Sequence, residues 1–219
     1  MFLFNQENLK QLTLLLSAFV LICLALPGQA NAQYNDPVVE LQTTKGNIYI
    51  RVYRGLVPRT ATNFLDLVNR GFYSGTVFHR IESWCIQGGS PGGNPNGNFV
   101  DPQTGNVRYI PLEINRRLSH GSPGVVAMAR SSNPNSASCQ FYILKQPMRQ
   151  LDGQYAIFGK VLQGASAVMN MRRGDQILNA RIVQSQRSQP TNQGSGQKRT
   201  KLGPVQKFDP PTDIPDSGF

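Results

Sequence analysis

The chain has 219 residues, enough for one domain of ordinary size with extensions at its ends. Hydrophobic residues make up 39%, slightly under the globular norm, which implies that part of the chain stays outside any core. The formal net charge is +10, but the cations before residue 184 stand singly apart from Arg116-Arg117 and Arg172-Arg173, a pattern that reads as a solvated surface and argues against nucleic acid as a partner.

Residues 1–32 read as a signal peptide. Leu12 to Leu26 is apolar except for Thr13 and Ser17. That run is shorter than the about 20 residues of a membrane span. Lys10 precedes it, and Ala30-Asn31-Ala32 has the small-x-small form of a cleavage site. The reading predicts export to a periplasm or equivalent compartment with no stable membrane insertion. An uncleaved N-terminal anchor is the alternative. Cleavage leaves Cys85 and Cys139, and their number leaves pairing open.

After a polar leader at 33–37, Val38–Thr43 and Asn47–Tyr53 flank Thr44-Lys45-Gly46 and predict a β-hairpin. Pro58 opens a helical pattern in which Ala61, Phe64, Leu65 and Val68 share a face, and Gly71 closes it. Thr76–Ile81 and Trp84–Gln87 are strand candidates. Gly88–Gly105, rich in Gly, Pro and Asn, predicts a loop, and it lacks the Gly-Lys-Ser/Thr ending of a phosphate-binding loop. Gly124–Ala129, Gln140–Leu144 and Tyr155–Val161 are further strands, Ala165–Met171 a short helix, and Ile177–Val183 the last ordered segment. From residue 184 to 219 the chain is polar, Gly- and Pro-rich and weakly basic, which predicts a disordered tail; its cations Lys198, Arg199, Lys201 and Lys207 read as a solvated linker, with an interaction arm as the alternative. Short strands between turns, with two helices, predict a mainly β, mostly antiparallel closed sheet.

The chain is poor in nucleophiles and bases. It has two histidines, His79 and His120, with no cysteine or carboxylate cluster at metal-ligand spacing and no Gly-x-Ser-x-Gly elbow. His79 lies in an apolar strand and is expected to be a hydrogen-bonded core residue. Either the protein is not an enzyme, or its reaction needs no proton transfer.

Three segments narrow that choice. They are Phe78-His79-Arg80-Ile81 with Gln87-Gly88-Gly89, Met128-Ala129-Arg130 with Ser138-Cys139-Gln140-Phe141-Tyr142, and Leu151-Asp152-Gly153-Gln154-Tyr155 with Phe158-Gly159-Lys160-Val161. In this order they resemble the cyclophilin family of peptidyl-prolyl cis-trans isomerases, in an exported, bacterial-like form, across residues 38–183. The resemblance implies a closed eight-stranded antiparallel barrel capped by two α-helices. It also implies a monomer acting on proline-containing polypeptides, without metal or cofactor.

It explains the missing nucleophile too. Rotation about a peptide bond has a barrier of about 18–20 kcal/mol because resonance stiffens the bond. A rate gain of about 10⁵ needs only about 7 kcal/mol of transition-state stabilisation and no covalent step. By resemblance, Arg80 is the catalytic arginine, and Gln87 and Gln140 hold it and the substrate backbone. Ala129 and Arg130 border the substrate groove. Trp84, Cys85, Tyr142 and Leu151 line the proline pocket, with Tyr155 at its rim.

The chain departs from the family pattern in places. The segment from Arg80 to Gln87 is one residue short of the commonest form. Trp84 and Cys85 stand where Phe and Met are usual. Gln150 stands where many members carry a tryptophan that favours cyclosporin, which implies weak binding of that drug. A proline-peptide-binding module with little turnover is therefore the competing reading.

Overall fold

The computed structural model describes residues 36–183. The signal-peptide and tail readings lie outside the described residues, as does most of the polar leader. Eight strands and two α-helices follow in the order β1 (Val38–Thr43), β2 (Gly46–Val52), α1 (Pro58–Asn69), β3 (Val77–Ile81), β4 (Cys85–Ser90), β5 (Val125–Met128), β6 (Phe141–Leu144), β7 (Ile157–Gln163), α2 (Ala165–Asn170) and β8 (Ile177–Val183). All strand pairs are antiparallel, and the sheet order is β3-β4-β6-β5-β7-β2-β1-β8.

The sheet ends meet over a short seam. Val77 bridges Gln176. The Phe78 N–H donates to the Asp175 carbonyl at 2.9 Å, and the Ile177 N–H donates to the Thr76 carbonyl, also at 2.9 Å. Beyond the seam no ladder joins β3 to β8, so the expected closed barrel is a curled sheet, sealed at one end of its edge strands and open along the rest.

Helix α1 forms where the spacing of Ala61, Phe64, Leu65 and Val68 predicts it, and all four are buried. Phe64 packs its ring 5.2 Å from Tyr73, 5.6 Å from Phe141 and 4.7 Å from Phe158, which ties the helix to the sheet. Its own N-cap residue, Val57, supplies no side-chain bond. Glu113 caps it from a distant loop: Oε2 accepts from the Thr60 N–H and the Thr60 hydroxyl, each at 2.8 Å, and Oε1 accepts from the Arg59 N–H at 3.3 Å.

Most element boundaries shift by one or two residues from the sequence reading, and the largest difference is at the end of β4. Strand β4 runs through Gly88, Gly89 and Ser90 into the segment predicted as loop. These glycines serve close packing. A Cβ on Gly88 would lie 2.9 Å from the Phe78 ring, and one on Gly89, at φ +81°, 2.9 Å from the Tyr73 ring and 3.0 Å from the Cys139 carbonyl.

Among the described residues, no helix is long and apolar enough to cross a membrane.

Glu113→Ala is expected to lower unfolding stability by about 1–2 kcal/mol, because it strands buried Thr60 donors and removes the helix cap. A urea titration checks this, and an unchanged midpoint would contradict it.

Candidate active site

Two offset irregularities in the β3–β4 ladder aim the first site residue. Val77 pairs with Ser90 and Phe78 with Gly88, which leaves Gly89 as an extra residue on β4. Arg80 then pairs with Gln87, which leaves His79 as an extra residue on β3. Strict alternation would put Phe78 and Arg80 on one face. Instead Phe78 is fully buried in the core and Arg80 is exposed. A bulge of this kind re-aims a side chain without breaking the pairing.

Arg80 is held in place. Its Nη1 donates to Gln87 Oε1 at 3.1 Å, and its Nε donates to Glu82 Oε1 at 3.1 Å. Gln87 Nε2 donates to Gln140 Oε1 at 3.0 Å. Gln140 Nε2 in turn donates to the Pro95 and Gly97 carbonyls at 2.9 and 2.8 Å. The guanidinium lies 5.3 Å from the centre of the Trp84 ring. The short turn supplies two of these neighbours. Glu82 donates its N–H to the Cys85 carbonyl, and Glu82 and Trp84 follow Arg80 at steps of two.

Beside Arg80 lies a second, smaller apolar cluster, the candidate slot. Strands β4, β5 and β6 bury both faces, and alternation divides them. Ile86, Val126, Met128, Phe141 and Ile143 enter the main core. Cys85, Val125, Ala127, Tyr142 and Leu144 form a second cluster on the opposite face, packed against the partly buried Trp84, Ala129, Met148, Leu151 and Tyr155. The Tyr142 ring meets Trp84 edge-on at 6.1 Å and Tyr155 edge-on at 5.9 Å. The Arg130 guanidinium lies over Tyr155 at 4.5 Å, and its Nε donates to the Gln154 carbonyl at 3.0 Å.

On the other side of Gln140 opens a polar cavity of about 310 Å³. Gln87, Ala129, Arg130 and Gln140 belong to its lining, together with Asn96, Asn98 and Tyr109. The slot and this cavity share Ala129, so an extended chain crossing Gln87 and Gln140 can touch both.

Every site residue expected from the sequence thus falls in one region: Arg80, Gln87 and Gln140 in a hydrogen-bonded chain, Trp84, Cys85, Tyr142, Leu151 and Tyr155 around the slot, and Ala129 and Arg130 at the groove. Sequence reasoning missed Glu82, Met148 and the group behind Tyr142. The available signal for Glu82 is its position two residues after Arg80, just past the end of β3. In the sequence His120 is one of two histidines and shows no partner at close spacing. Its Nε2 lies 2.9 Å from the Tyr142 hydroxyl and its Nδ1 2.8 Å from Asp152 Oδ1.

His79 is buried as expected, but neither ring nitrogen makes a hydrogen bond; the Val77 backbone and the Gln140 side chain are its polar neighbours. As the extra residue of a bulge it is set by the ladder, with no acceptor in line. Burial lowers the pKa of His79, and burial also lowers that of His120 against the raising effect of Asp152. Cys85 and Cys139 are both free and buried, each thiol pushed up to about 11 by burial. Among the described residues no His, Cys, Asp or Glu cluster fits a metal ion.

The curled antiparallel sheet thus carries a braced arginine beside an aromatic cluster. A family model described as cyclophilin type peptidyl-prolyl cis-trans isomerase matches residues 38–191, and the chain belongs to that enzyme family. It is similar to a Dictyostelium discoideum protein named peptidyl-prolyl cis-trans isomerase, 38% identical over 137 residues, covering 62% of this chain and 85% of that one. A Synechocystis protein named as a putative thylakoid lumen peptidyl-prolyl cis-trans isomerase is 34% identical over 176 residues, covering 66% of this chain and 46% of that one. The crystal structure of a Cryptosporidium parvum cyclophilin in the presence of the dipeptide Ala-Pro aligns at a TM-score of 0.61 and 29% identity, over 68% of this chain and 99% of that one.

Both histidines have folded pKa values below their unfolded value near 6.5. The unfolded chain therefore binds protons that the folded one refuses. Their contribution to stability is whole above pH 6.5 and declines as pH falls from there toward the lowered folded values. The urea midpoint is expected to drop between pH 7.5 and pH 5.5. A midpoint that rises or stays constant over that window would contradict the burial account.

Proposed function

We propose that this enzyme accelerates rotation about X–Pro bonds in exported polypeptides and so assists their folding, with Arg80 as the catalytic group. The observation that carries the reading is the chain from Arg80 through Gln87 to Gln140, set beside an aromatic slot. In the twisted transition state the amide loses resonance and the prolyl nitrogen regains its lone pair. A fixed guanidinium that donates to that nitrogen, or to the prolyl carbonyl, favours the twisted form over both planar ones. Glu82 and Gln87 occupy Nε and one Nη1 hydrogen, and among the described residues Nη2 makes no hydrogen bond. That leaves donors for substrate on a plane already fixed.

The slot holds the proline ring. Trp84, Cys85, Tyr142, Leu151 and Tyr155 supply its apolar walls, and Ala129 and Arg130 border the substrate backbone. Proline-containing polypeptides are the substrates, and the Ala-Pro dipeptide in the Cryptosporidium parvum crystal structure supports that class. Export rests on the apolar run Leu12–Leu26 with Ala30-Asn31-Ala32 after it. The Synechocystis relative, named for the thylakoid lumen, supports an extracytoplasmic setting.

Magnetisation-exchange NMR on a short proline peptide tests this. Arg80→Ala is expected to lower the isomerisation rate about 10²–10³-fold, the range for losing one preorganised donor. Peptide binding, followed by fluorescence of Trp84, the chain's one tryptophan, should weaken far less. Full activity in Arg80→Ala would overturn the mechanism. Binding by the wild-type protein with no exchange would favour the binding-module reading that the altered slot residues Trp84 and Cys85 suggest.

A further inference from the structure

Tyr142 has a buried hydroxyl on the floor of an otherwise apolar slot, and that hydroxyl is not free. It lies 2.9 Å from His120 Nε2, with the two rings nearly parallel at 17° and 6.1 Å apart. His120 is completely buried. Its Nδ1 lies 2.8 Å from Asp152 Oδ1, its backbone N–H donates to the same oxygen at 2.6 Å, and its carbonyl accepts the Met148 N–H at 2.8 Å. The Ser119 hydroxyl donates to Asp152 Oδ2 at 2.7 Å. All four polar atoms of His120 therefore have partners, and those partners lie on two sides of the slot.

The direction of the chain follows from its last member. Burial raises the Asp152 carboxyl, but hydrogen bonds from the His120 backbone and the Ser119 hydroxyl outweigh it and hold the group below the ordinary carboxylate range. An ionised Asp152 can only accept, so His120 Nδ1 carries the proton. A neutral imidazole then leaves Nε2 bare, and the Tyr142 hydroxyl must be the donor. Its proton points away from the slot, so the substrate meets only the ring.

The anchor matters because packing alone gives Tyr142 no directional hold: Trp84 and Tyr155 meet its ring edge-on, and the hydroxyl bond to His120 fixes the ring's far end. Its ladder partners are Ala127 on β5 and Gln87 on β4, and Cys85 is the small residue of the same cluster. The ring is fixed at one end by β6 and at the other by His120. Asp152, adjacent to the slot residue Leu151, and Met148 are fixed by the same histidine. We propose that His120, backed by Asp152, is a positioning residue of the proline slot, holding Tyr142 as the floor and the 148–152 segment as the wall so that the slot is formed before substrate arrives.

This rests on the isomerase reading of the slot and assigns residues that never touch substrate. A preformed slot avoids ordering an aromatic side chain at each binding event. Such an effect is felt equally in ground and transition states, so it appears in KM and leaves kcat largely intact.

The experiment uses the full chain with Tyr142→Phe, His120→Ala and the double variant, assayed by NMR exchange on a proline peptide. Tyr142→Phe is expected to raise KM about five- to tenfold, the scale of one buried hydrogen bond, with kcat within about twofold. The double variant should lose less than the product of the two single losses, because both remove the same bond. Multiplying losses, or a fall confined to kcat, would overturn the proposal. Should His120→Ala fail to fold, ¹⁵N spectra of the wild-type imidazole still decide. Nδ1 protonated and Nε2 bare is the expected state, and a proton on Nε2 would overturn it. If the wild type shows no turnover, the isomerase reading falls alone. Peptide affinity by Trp84 fluorescence must then weaken in Tyr142→Phe for the positioning role to stand, and an unchanged affinity would end it.

Discussion

The site depends on a constraint in one pair of strands. Phe78 must enter the core while Arg80, two residues on, must leave it, and a regular β-strand cannot do both. The extra residues Gly89 on β4 and His79 on β3 resolve the conflict within the space of one rung, the pair Phe78–Gly88. The costs are visible on each side of that rung. On β4, only glycine tolerates the closeness of the Tyr73 and Phe78 rings. On β3, a histidine is buried with both ring nitrogens unpaired. Unsatisfied buried polar groups are rare, and this one sits where the ladder turns the arginine outward.

From that starting point the site is built in two layers. The polar layer runs from Arg80 through Gln87 and Gln140 to the carbonyls of Pro95 and Gly97, so a loop backbone anchors its far end. The apolar layer is the second face of β4, β5 and β6. Isomerisation asks for no nucleophile, so rigidity is the main demand on these groups. A short turn that places Glu82 and Trp84 around Arg80 serves it at the arginine. Tyr142, His120 and Asp152 serve it at the slot.

Most of the fold was legible in the sequence. The Gly46 turn, the apolar stripe of α1 and the β-rich runs each mark their element because one periodicity dominates locally. The two-sided burial of β5 and β6 hid the division between core and slot, since Val125–Met128 and Phe141–Leu144 are apolar at every position. Gly88 and Gly89 resembled loop residues because composition cannot distinguish a glycine chosen for a turn from one chosen for a close contact. The individual candidate residues could be named through three ordered segments resembling one family. Their hydrogen-bonded order was not legible, and neither was the link from Tyr142 to His120, because those residues are 22 positions apart and meet only in the folded sheet.

The shape of the donor matters as much as its charge. Lysine at position 80 would keep a cation near the slot but lose the planar fork that Glu82 and Gln87 grip. The most direct test is therefore the NMR exchange rate of a proline peptide with Arg80→Lys. A rate close to that of Arg80→Ala is the result expected if a rigid, oriented donor drives the rotation. A rate close to that of the wild type would mean that a nearby positive charge suffices and that bracing the guanidinium is not what makes it catalytic.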